Sequence, residues 1–584
     1  MLEIREATLR LGDAGASVPI LQGVSLHFPR PHFAAIVGPS GCGKSTLLKV
    51  IAGLFDPQVG TIHWDGRNLA TEGDIPPAEL GYVPQFSIVH ESLTIAESMD
   101  YALRLRLSGL SHGERTERAQ QILEVVGLFE IRDRPASQLS GGQRRRLALA
   151  LEVVTRPSLL LCDEVTSGLD PKSEDEIVQL LHQLSRDGSR LVLSVTHSLR
   201  HLRLYDSVTV LREGSVLYSG PAENLLEYFN VSTPEDLFPQ LESKETVAWS
   251  ERWAIYQENF ALPLLPGMAE ADRDDEDDEE DFPEEAAAVK PELAAVPEDQ
   301  TPGLLAQFFI LLGRRWRLFF REKNQVLLQL ALLFLFPALV VPFALNGLPQ
   351  IQNLSLSADG NIVAQLKESV SFTAQSSRVG SLVSGLIMFQ VVLMTLMGSN
   401  NGAREIVAER LLFEKEKLAG LNPLSYLISK IFFLGVLVLA QSFWMTIFVK
   451  LIVRFPGDLA PQAAMLFLAN AALTCLCLGV SSWSRTTEQS SLISVYFVGF
   501  QLPLSGAVLA LPDWLGVMTR PFISAYWSWS GFLETMRDTR FYDLVKIITE
   551  TPLASYPACF WVLGCQALVG LIIAYFGCVR AQWD

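Results

Sequence analysis

The sequence predicts an α/β domain followed by an all-α domain that crosses a membrane several times. Within residues 1–235, short apolar runs (34–37, AAIV; 159–161, LLL; 190–195, RLVLSV) alternate with helical patterns. That rhythm belongs to a parallel sheet covered by helices. From about residue 303, charge-free apolar runs recur, each long enough to cross a hydrocarbon core of roughly 30 Å. Between these parts, residues 236–302 read as a linker. From position 270 to 299, fifteen acidic residues face only Arg273 and Lys290, so most of the net charge of −18 sits in this one segment. Like charges repel, and there is too little apolar surface to offset ordering entropy, so disorder is expected.

The acidity describes the linker and not a binding surface, and the charge gives no case for nucleic acid as a partner. The first residues (MLEIREATLR) lack the positive, apolar, small order of a secretory leader. Seven cysteines do not form a disulfide or zinc pattern: Cys475 and Cys477 make one CxC in an apolar run, and Cys42 and Cys162 fall in the motifs described below.

In the second part, residues 307–320 (QFFILLGRRWRLFF) mix apolar and cationic residues at helical spacing, as in a helix lying along a membrane interface. Six spans follow at about 326–345, 382–399, 431–449, 461–483, 490–511 and 556–579. Residues 514–533 are apolar but short, broken by Arg520 and Pro521, and suit a re-entrant or interfacial element. Their Trp514, Tyr526, Trp527 and Trp529 suit an interfacial aromatic belt. Cations precede the first span (Arg314, Arg315, Arg317, Arg321, Lys323) and separate the second from the third (Arg404, Arg410, Lys415, Lys417, Lys430). These cations suit a cytoplasmic N-terminus, but Arg520, Arg537, Arg540 and Lys546 then lie outside. The nucleotide motifs described below decide for the cytoplasmic side, because ATP is there, and six spans put both ends on it, in a multi-pass protein of the cell membrane.

Residues 38–46 (GPSGCGKST) match GxxxxGK[ST] between a strand-like and a helical segment, which makes them a P-loop. Gly38, Pro39, Ser40, Gly41, Cys42, Gly43 and Thr46 shape a loop whose N–H groups surround phosphates at a helix start. Lys44 neutralises the β- and γ-phosphates of ATP, and Ser45 holds Mg2+. Residues 159–164 (LLLCDE) are an apolar strand ending in two carboxylates. Asp163 is placed for Mg2+ and Glu164 for polarising the attacking water.

Between them stands LSGGQ, residues 139–143, followed by Arg144, Arg145 and Arg146. With it the sequence resembles the ATP-binding cassette family. The resemblance puts Gln85 of GYVPQ at the Q-loop position, as a water or metal sensor. It puts Asp170 of SGLD in the D-loop and His197 of SVTHS at the switch-histidine position, on the γ-phosphate. In that family the signature of one cassette (here Ser140, Gly141, Gly142 and Gln143) covers the ATP held by another's P-loop. One motif of each kind then implies a dimer with two composite sites, formed with a second copy or a similar half-transporter. The order cassette-then-spans, together with residues 403–430 (AREIVAERLLFEKEKLAGLNPLSYLISK), is similar to the G subfamily (White-type) of half-transporters. That implies a connecting helix near 307–320, coupling segments near 405–421 and export. Departures from the pattern are Leu9 and Leu11, where many cassettes carry an adenine-stacking aromatic, and Val165, where proline is usual. Gly398 stands where multidrug members carry a stacking aromatic, and Ala507 and Val508 stand at the apolar valve.

Polar residues in the spans are few: Gln329, Gln390, Gln441, Asn470, Gln501 and Gln566. They read as interhelical hydrogen-bonding groups. Without ionisable groups inside the spans, proton coupling and ionic cargo are disfavoured. The expected whole is an α/β P-loop nucleotide-binding domain and a six-helix polytopic membrane domain. It would move a lipid or other hydrophobic or amphiphilic cargo across the bilayer. The alternative is a membrane ATPase that acts on a partner protein through the acidic linker.

Overall fold

The computed structural model describes residues 1–11, 18–243, 245–260, 301–343, 362–509, 511–549 and 551–581. Contacts divide the chain into two units, residues 1–302 with 418–420 and residues 303–417 with 421–584.

The first unit holds two sheets. β1 (Leu2–Leu11), β2 (Val18–Phe28), β4 (Val59–Trp64) and β5 (Arg67–Asn68) form an antiparallel sheet in the order β2-β1-β4-β5. β3 (His32–Val37), β6 (Leu80–Val83), β7 (Leu159–Asp163), β8 (Leu191–Val195), β9 (Ser207–Arg212) and β10 (Ser215–Pro221) form the other, in the order β10-β9-β3-β8-β7-β6. All are parallel except β10, which returns beside β9. This is the expected parallel sheet. β6, β7 and β8 are buried at every position, which is why they read as unbroken apolar runs and not as alternation.

The helices of this unit are α1 (Lys44–Ile51), α2 (Leu69–Glu72), α3 (Ile95–Arg106), α4 (His112–Val125), α5 (Gly141–Glu152), α6 (Pro171–Arg186), α7 (Leu225–Phe229), α8 (Leu237–Glu242) and α9 (Thr246–Phe260). Capping boxes open α3 (Thr94, Glu97), α4 (Ser111, Glu114) and α5 (Ser140, Gln143). The linker expected from residue 236 starts later, because α8 and α9 occupy its first part. Trp249 is fully buried, Trp253 meets Tyr218 at 5.4 Å, and the Arg252 guanidinium lies 4.8 Å from the Tyr228 ring. These aromatic contacts hold α9 against β10 and α7. The acidic run 270–299 lies outside the described residues.

The second unit is helical: α10 (Leu304–Arg321), α11 (Lys323–Val340), α12 (Ile362–Gly402), α13 (Arg410–Leu418), α14 (Pro423–Val453), α15 (Leu459–Trp483), α16 (Thr487–Gly499), α17 (Asp513–Thr519), α18 (Ser524–Glu534), α19 (Arg540–Ile548) and α20 (Tyr556–Arg580). Among the described residues, five stretches are long and apolar enough to cross a membrane: Lys323–Phe343, Ser369–Leu418, Pro423–Val453, Leu459–Trp483 and Tyr556–Arg580. The sixth expected span, 490–511, is not one helix. α16 ends at Gly499, and a 3-10 turn at Pro503–Ser505 follows. Its 13 residues reach only about 20 Å at about 1.5 Å per residue.

The re-entrant region is α17, a 3-10 turn at Arg520–Phe522, and α18. Its aromatics divide in a way hydropathy did not foresee. Trp514 is 67% exposed, but Tyr526 and Trp529 are buried core residues, and Trp529 Nε1 donates to Ser384 Oγ at 3.3 Å. The backbone broken here is closed by two of the predicted glutamines. Gln501 accepts from the Ala525 N–H (3.0 Å). Gln566 donates to the Pro521 carbonyl (2.7 Å) and accepts from the Ser524 hydroxyl (2.6 Å). Interrupted helices survive in hydrocarbon only with such partners.

Gln329, Gln441 and Asn470 join Asn401 in one network across four helices. Asn401 on α12 donates to Gln441 on α14 (2.8 Å), Gln441 donates to Gln329 on α11 (3.0 Å), and Asn470 on α15 donates to Gln441 (3.0 Å). Gln390 bonds within its own helix, to the Leu386 carbonyl. α10 departs from a plain interfacial helix, because Arg314 and Arg315 are buried. Arg314 forks onto Glu416, and Arg315 forks onto Glu405 at 2.5 and 2.8 Å. Lys430 joins them through Glu405 (3.1 Å) and Glu409 (2.6 Å). These cations serve buried ion pairs, so they weigh less as free positive charges than the orientation argument assumed.

Candidate nucleotide site

The strand order places the motifs. β3, β8, β7 and β6 are parallel neighbours, so their carboxyl ends open on one side. The P-loop leaves β3, His197 follows β8, Asp163 and Glu164 end β7, and Gln85 follows β6. Open α/β sheets bind ligands at such edges.

The P-loop curls tightly at the start of α1. Gly38 has φ 155°, and a Cβ there would fall 2.1 Å from the Leu211 carbonyl oxygen. No other residue type fits at that point. Lys44 is buried and donates to the Gly38 and Pro39 carbonyls at 3.0 and 2.9 Å. Ser45 Oγ donates to Asp163 Oδ1 at 2.8 Å, across 118 residues of sequence. Cys42 is buried, which pushes its thiol above the usual range and leaves it an apolar filler.

Glu164 holds the centre. Gln85 Nε2 donates to its Oε2 at 2.8 Å, and His197 Nε2 lies 2.6 Å from its Oε1. Its backbone takes φ 47°, a left-handed value uncommon outside glycine, held by its own N–H on the Val195 carbonyl (3.1 Å). Burial pushes the Asp163 carboxyl up, and the Ser45 hydroxyl partly offsets this. Tyr82 OH also reaches Asp163, at 3.4 Å, and burial raises that phenol so far that it stays a donor.

Lys44, Ser45, Asp163, Glu164, Gln85 and His197 therefore share one edge. The remaining sequence-predicted residues form a second group. Ser140 caps α5, with its Oγ accepting from the Gln143 N–H at 3.3 Å while the Gln143 side chain accepts from the Ser140 N–H at 3.1 Å. Asp170 caps α6 through the Ser173 N–H at 3.1 Å. The two helix starts touch, Gly141 facing Leu169 and Gly142 facing Ser173. No hydrogen bond among the described residues joins this group to the P-loop. Sequence reasoning missed Tyr82 and Arg145. A tyrosine on a fully buried strand needs a partner for its hydroxyl, and that was the available signal. Arg145, which donates to the Gln85 carbonyl, gave none. In the membrane unit, Gly398 lies against α15, where a Cβ would sit 2.6 Å from the Asn470 carbonyl oxygen. Val508 is 63% exposed.

The model of the ABC transporter family matches residues 21–167, and that of the ABC-2 type transporter matches residues 306–530. Over 577 residues the chain is 29% identical to the ABC transporter ATP-binding/permease protein Rv1747 of Mycobacterium tuberculosis, covering 96% of this chain and 61% of that protein. The chain thus spans about 61% of that relative's length. It is 39% identical over 220 residues to the methionine import ATP-binding protein MetN of Thermobifida fusca, covering 36% of this chain and 67% of MetN. A solved dimeric structure of the ATP-binding cassette MJ0796 in a post-hydrolysis state, bound to ADP and Pi, aligns with TM-score 0.36 and 29% identity, over 38% of this chain and 99% of that one. The chain belongs to the ABC transporter family, with an N-terminal ATP-binding cassette that is an ATPase domain and a C-terminal ABC-2 type membrane domain.

Proposed function

We propose that this chain is an ATP-driven exporter of a lipid or another hydrophobic or amphiphilic molecule, a half-transporter of the G subfamily that works as a dimer. The observation that carries the hydrolytic part is Glu164, held between Gln85 and His197 beside the Ser45–Asp163 pair. Lys44 neutralises the β- and γ-phosphates, Glu164 takes a proton from the attacking water, Gln85 orients that water and His197 steadies the γ-phosphate. Ser45, Asp163 and the side-chain oxygen of Gln85 are hard oxygen donors of the kind Mg2+ takes, and the ion would neutralise phosphate charge.

The dimer is supported by the single P-loop and single signature in the chain, with no hydrogen bond among the described residues joining the Ser140 and Asp170 helix starts to the P-loop: a composite site uses both groups, one from each chain. The cargo class is supported by spans that carry few polar residues, of which Gln329, Asn401, Gln441 and Asn470 bond to one another. Export rests on the resemblance of the membrane half. MetN, named for import, matches the cassette alone in extent. The cytoplasmic placement of cassette and C-terminus rests on ATP being cytoplasmic.

The test is ATPase activity of the purified chain in lipid nanodiscs, wild type against Glu164→Gln, across lipids and amphiphilic drugs. A class that raises the Glu164-dependent rate is the cargo candidate, and ATP-driven movement of its labelled form in sealed vesicles gives the direction. Stimulation by no lipid or amphiphile, with basal turnover intact, refutes the cargo assignment and favours action on a partner protein.

A further inference from the structure

Three arginines follow the signature motif, and the structure sends them to three places. Successive residues on a helix point about 100° apart. Arg144 reaches Glu91 at 3.5 Å, and Arg146 reaches Glu176 on α6 at 3.4 Å. Both are surface ion pairs of modest worth. Arg145 makes no ion pair among the described residues. Its Nη1 donates to the backbone carbonyl of Gln85 and, at 3.4 Å, to that of Pro84. A half-buried cation whose Nη1 is shared between two adjacent carbonyls of one loop holds that loop against α5. The side chain of the same Gln85 is the one that meets Glu164 at 2.8 Å.

We propose that Arg145 is the positioning residue of the hydrolytic step. It clamps the Gln85 loop to α5, so that the Gln85 carboxamide stays on Glu164. The inference rests on the hydrolytic reading above and adds a route that reading lacks. α5 is capped by Ser140, which faces nucleotide in the composite site proposed above, and Arg145 lies little more than one turn further along. Occupation of the α5 start is thereby tied to the geometry of Glu164 in its own chain. Burial lowers the affinity of Arg145 for its proton while Glu164 nearby opposes this, as fits a cation set close to the reacting carboxylate and not on the surface.

The experiment is a double-mutant cycle in nanodisc-held full-length chain, with kcat and KM for ATP measured separately. Arg145→Met is expected to lower kcat about 10- to 100-fold, the scale of a displaced catalytic group, with KM within about threefold. Arg145→Lys, which keeps a donor, restores most of the rate. In a Gln85→Ala background, Arg145→Met changes kcat by less than about twofold, because no carboxamide remains to be placed. Equal kcat losses in both backgrounds overturn the proposal, as does a change confined to KM. If Arg145→Met does not fold, Arg145→Lys and Arg145→Gln run through the same cycle, and the same outcomes support or overturn the role. A wild type without Glu164-dependent turnover overturns the hydrolytic reading as a whole. An active wild type with an additive cycle overturns the role of Arg145 alone.

Discussion

The two units treat their polar residues in opposite ways. In the cassette, the carboxyl ends of β3, β8, β7 and β6 gather Lys44, His197, Glu164 and Gln85, and several of their donors and acceptors meet only loop carbonyls or one another in pairs. In the membrane unit, Gln329, Asn401, Gln441 and Asn470 bond in a closed group, and Arg314, Arg315 and Lys430 are matched by Glu416, Glu405 and Glu409. One arrangement keeps polar capacity for a ligand. The other closes these amides and charges on one another, as a nonaqueous surrounding favours. Polar residues should therefore matter for rate in the first unit and for stability in the second.

The largest expected effect sharpens that contrast. Glu164→Gln should lower kcat by about 10²- to 10⁴-fold, the usual worth of a general base, and leave ATP binding and thermal stability near wild type. Fluorescent-nucleotide titration beside steady-state turnover checks this, and steady hydrolysis in the variant would refute the assignment. Next is Glu405→Gln, which leaves Arg315 buried without its acid. Breaking such a pair is worth about 3–5 kcal/mol, seen as a large fall in the unfolding temperature of detergent-solubilised chain. Replacing both partners, Arg315→Met with Glu405→Leu, should recover much of it. No recovery would mean that the pair does more than satisfy itself.

Gln441→Leu comes third. It removes the amide shared by Gln329, Asn401 and Asn470, at about 1–2 kcal/mol, with basal ATPase within about twofold. A greater loss of turnover than of stability would blur the division between the units. The smallest effect is expected at Trp514→Ala, within about 0.5 kcal/mol, because that ring is exposed. Trp529→Ala, in the same expected belt but buried, should destabilise by about 3–5 kcal/mol.

Most of the cassette was legible because its signals are local. A P-loop needs glycines at fixed places, and buried parallel strands show as apolar runs. Legibility fell where contacts are distant in sequence. Tyr82 and Asp163 lie 81 residues apart, and Arg145 reaches Gln85 across 60. Hydropathy read 490–511 as one continuous span because composition does not reveal that the helix stops at Gly499 before a turn at Pro503. It also placed Tyr526 and Trp529 at an interface, since apolar content does not say whether lipid or protein covers a ring. Asn401 is not among the polar residues expected in the spans because it lies just past the expected end of its span, 382–399, although it binds into the network beside Gln441.

By itself the sequence determined the order of the two halves, the parallel sheet, the nucleotide motifs and the near absence of charge in the spans. Each depends on residue type at short spacing, which backbone sterics and burial read directly. Tertiary structure alone decided which polar groups stay available and which are matched. It set Glu164 between Gln85 and His197, turned Gln501 and Gln566 into partners for broken backbone, and paired Arg315 with Glu405. Those outcomes depend on which strands and helices become neighbours, because a hydrogen bond acts over about 3 Å and not over positions in a chain.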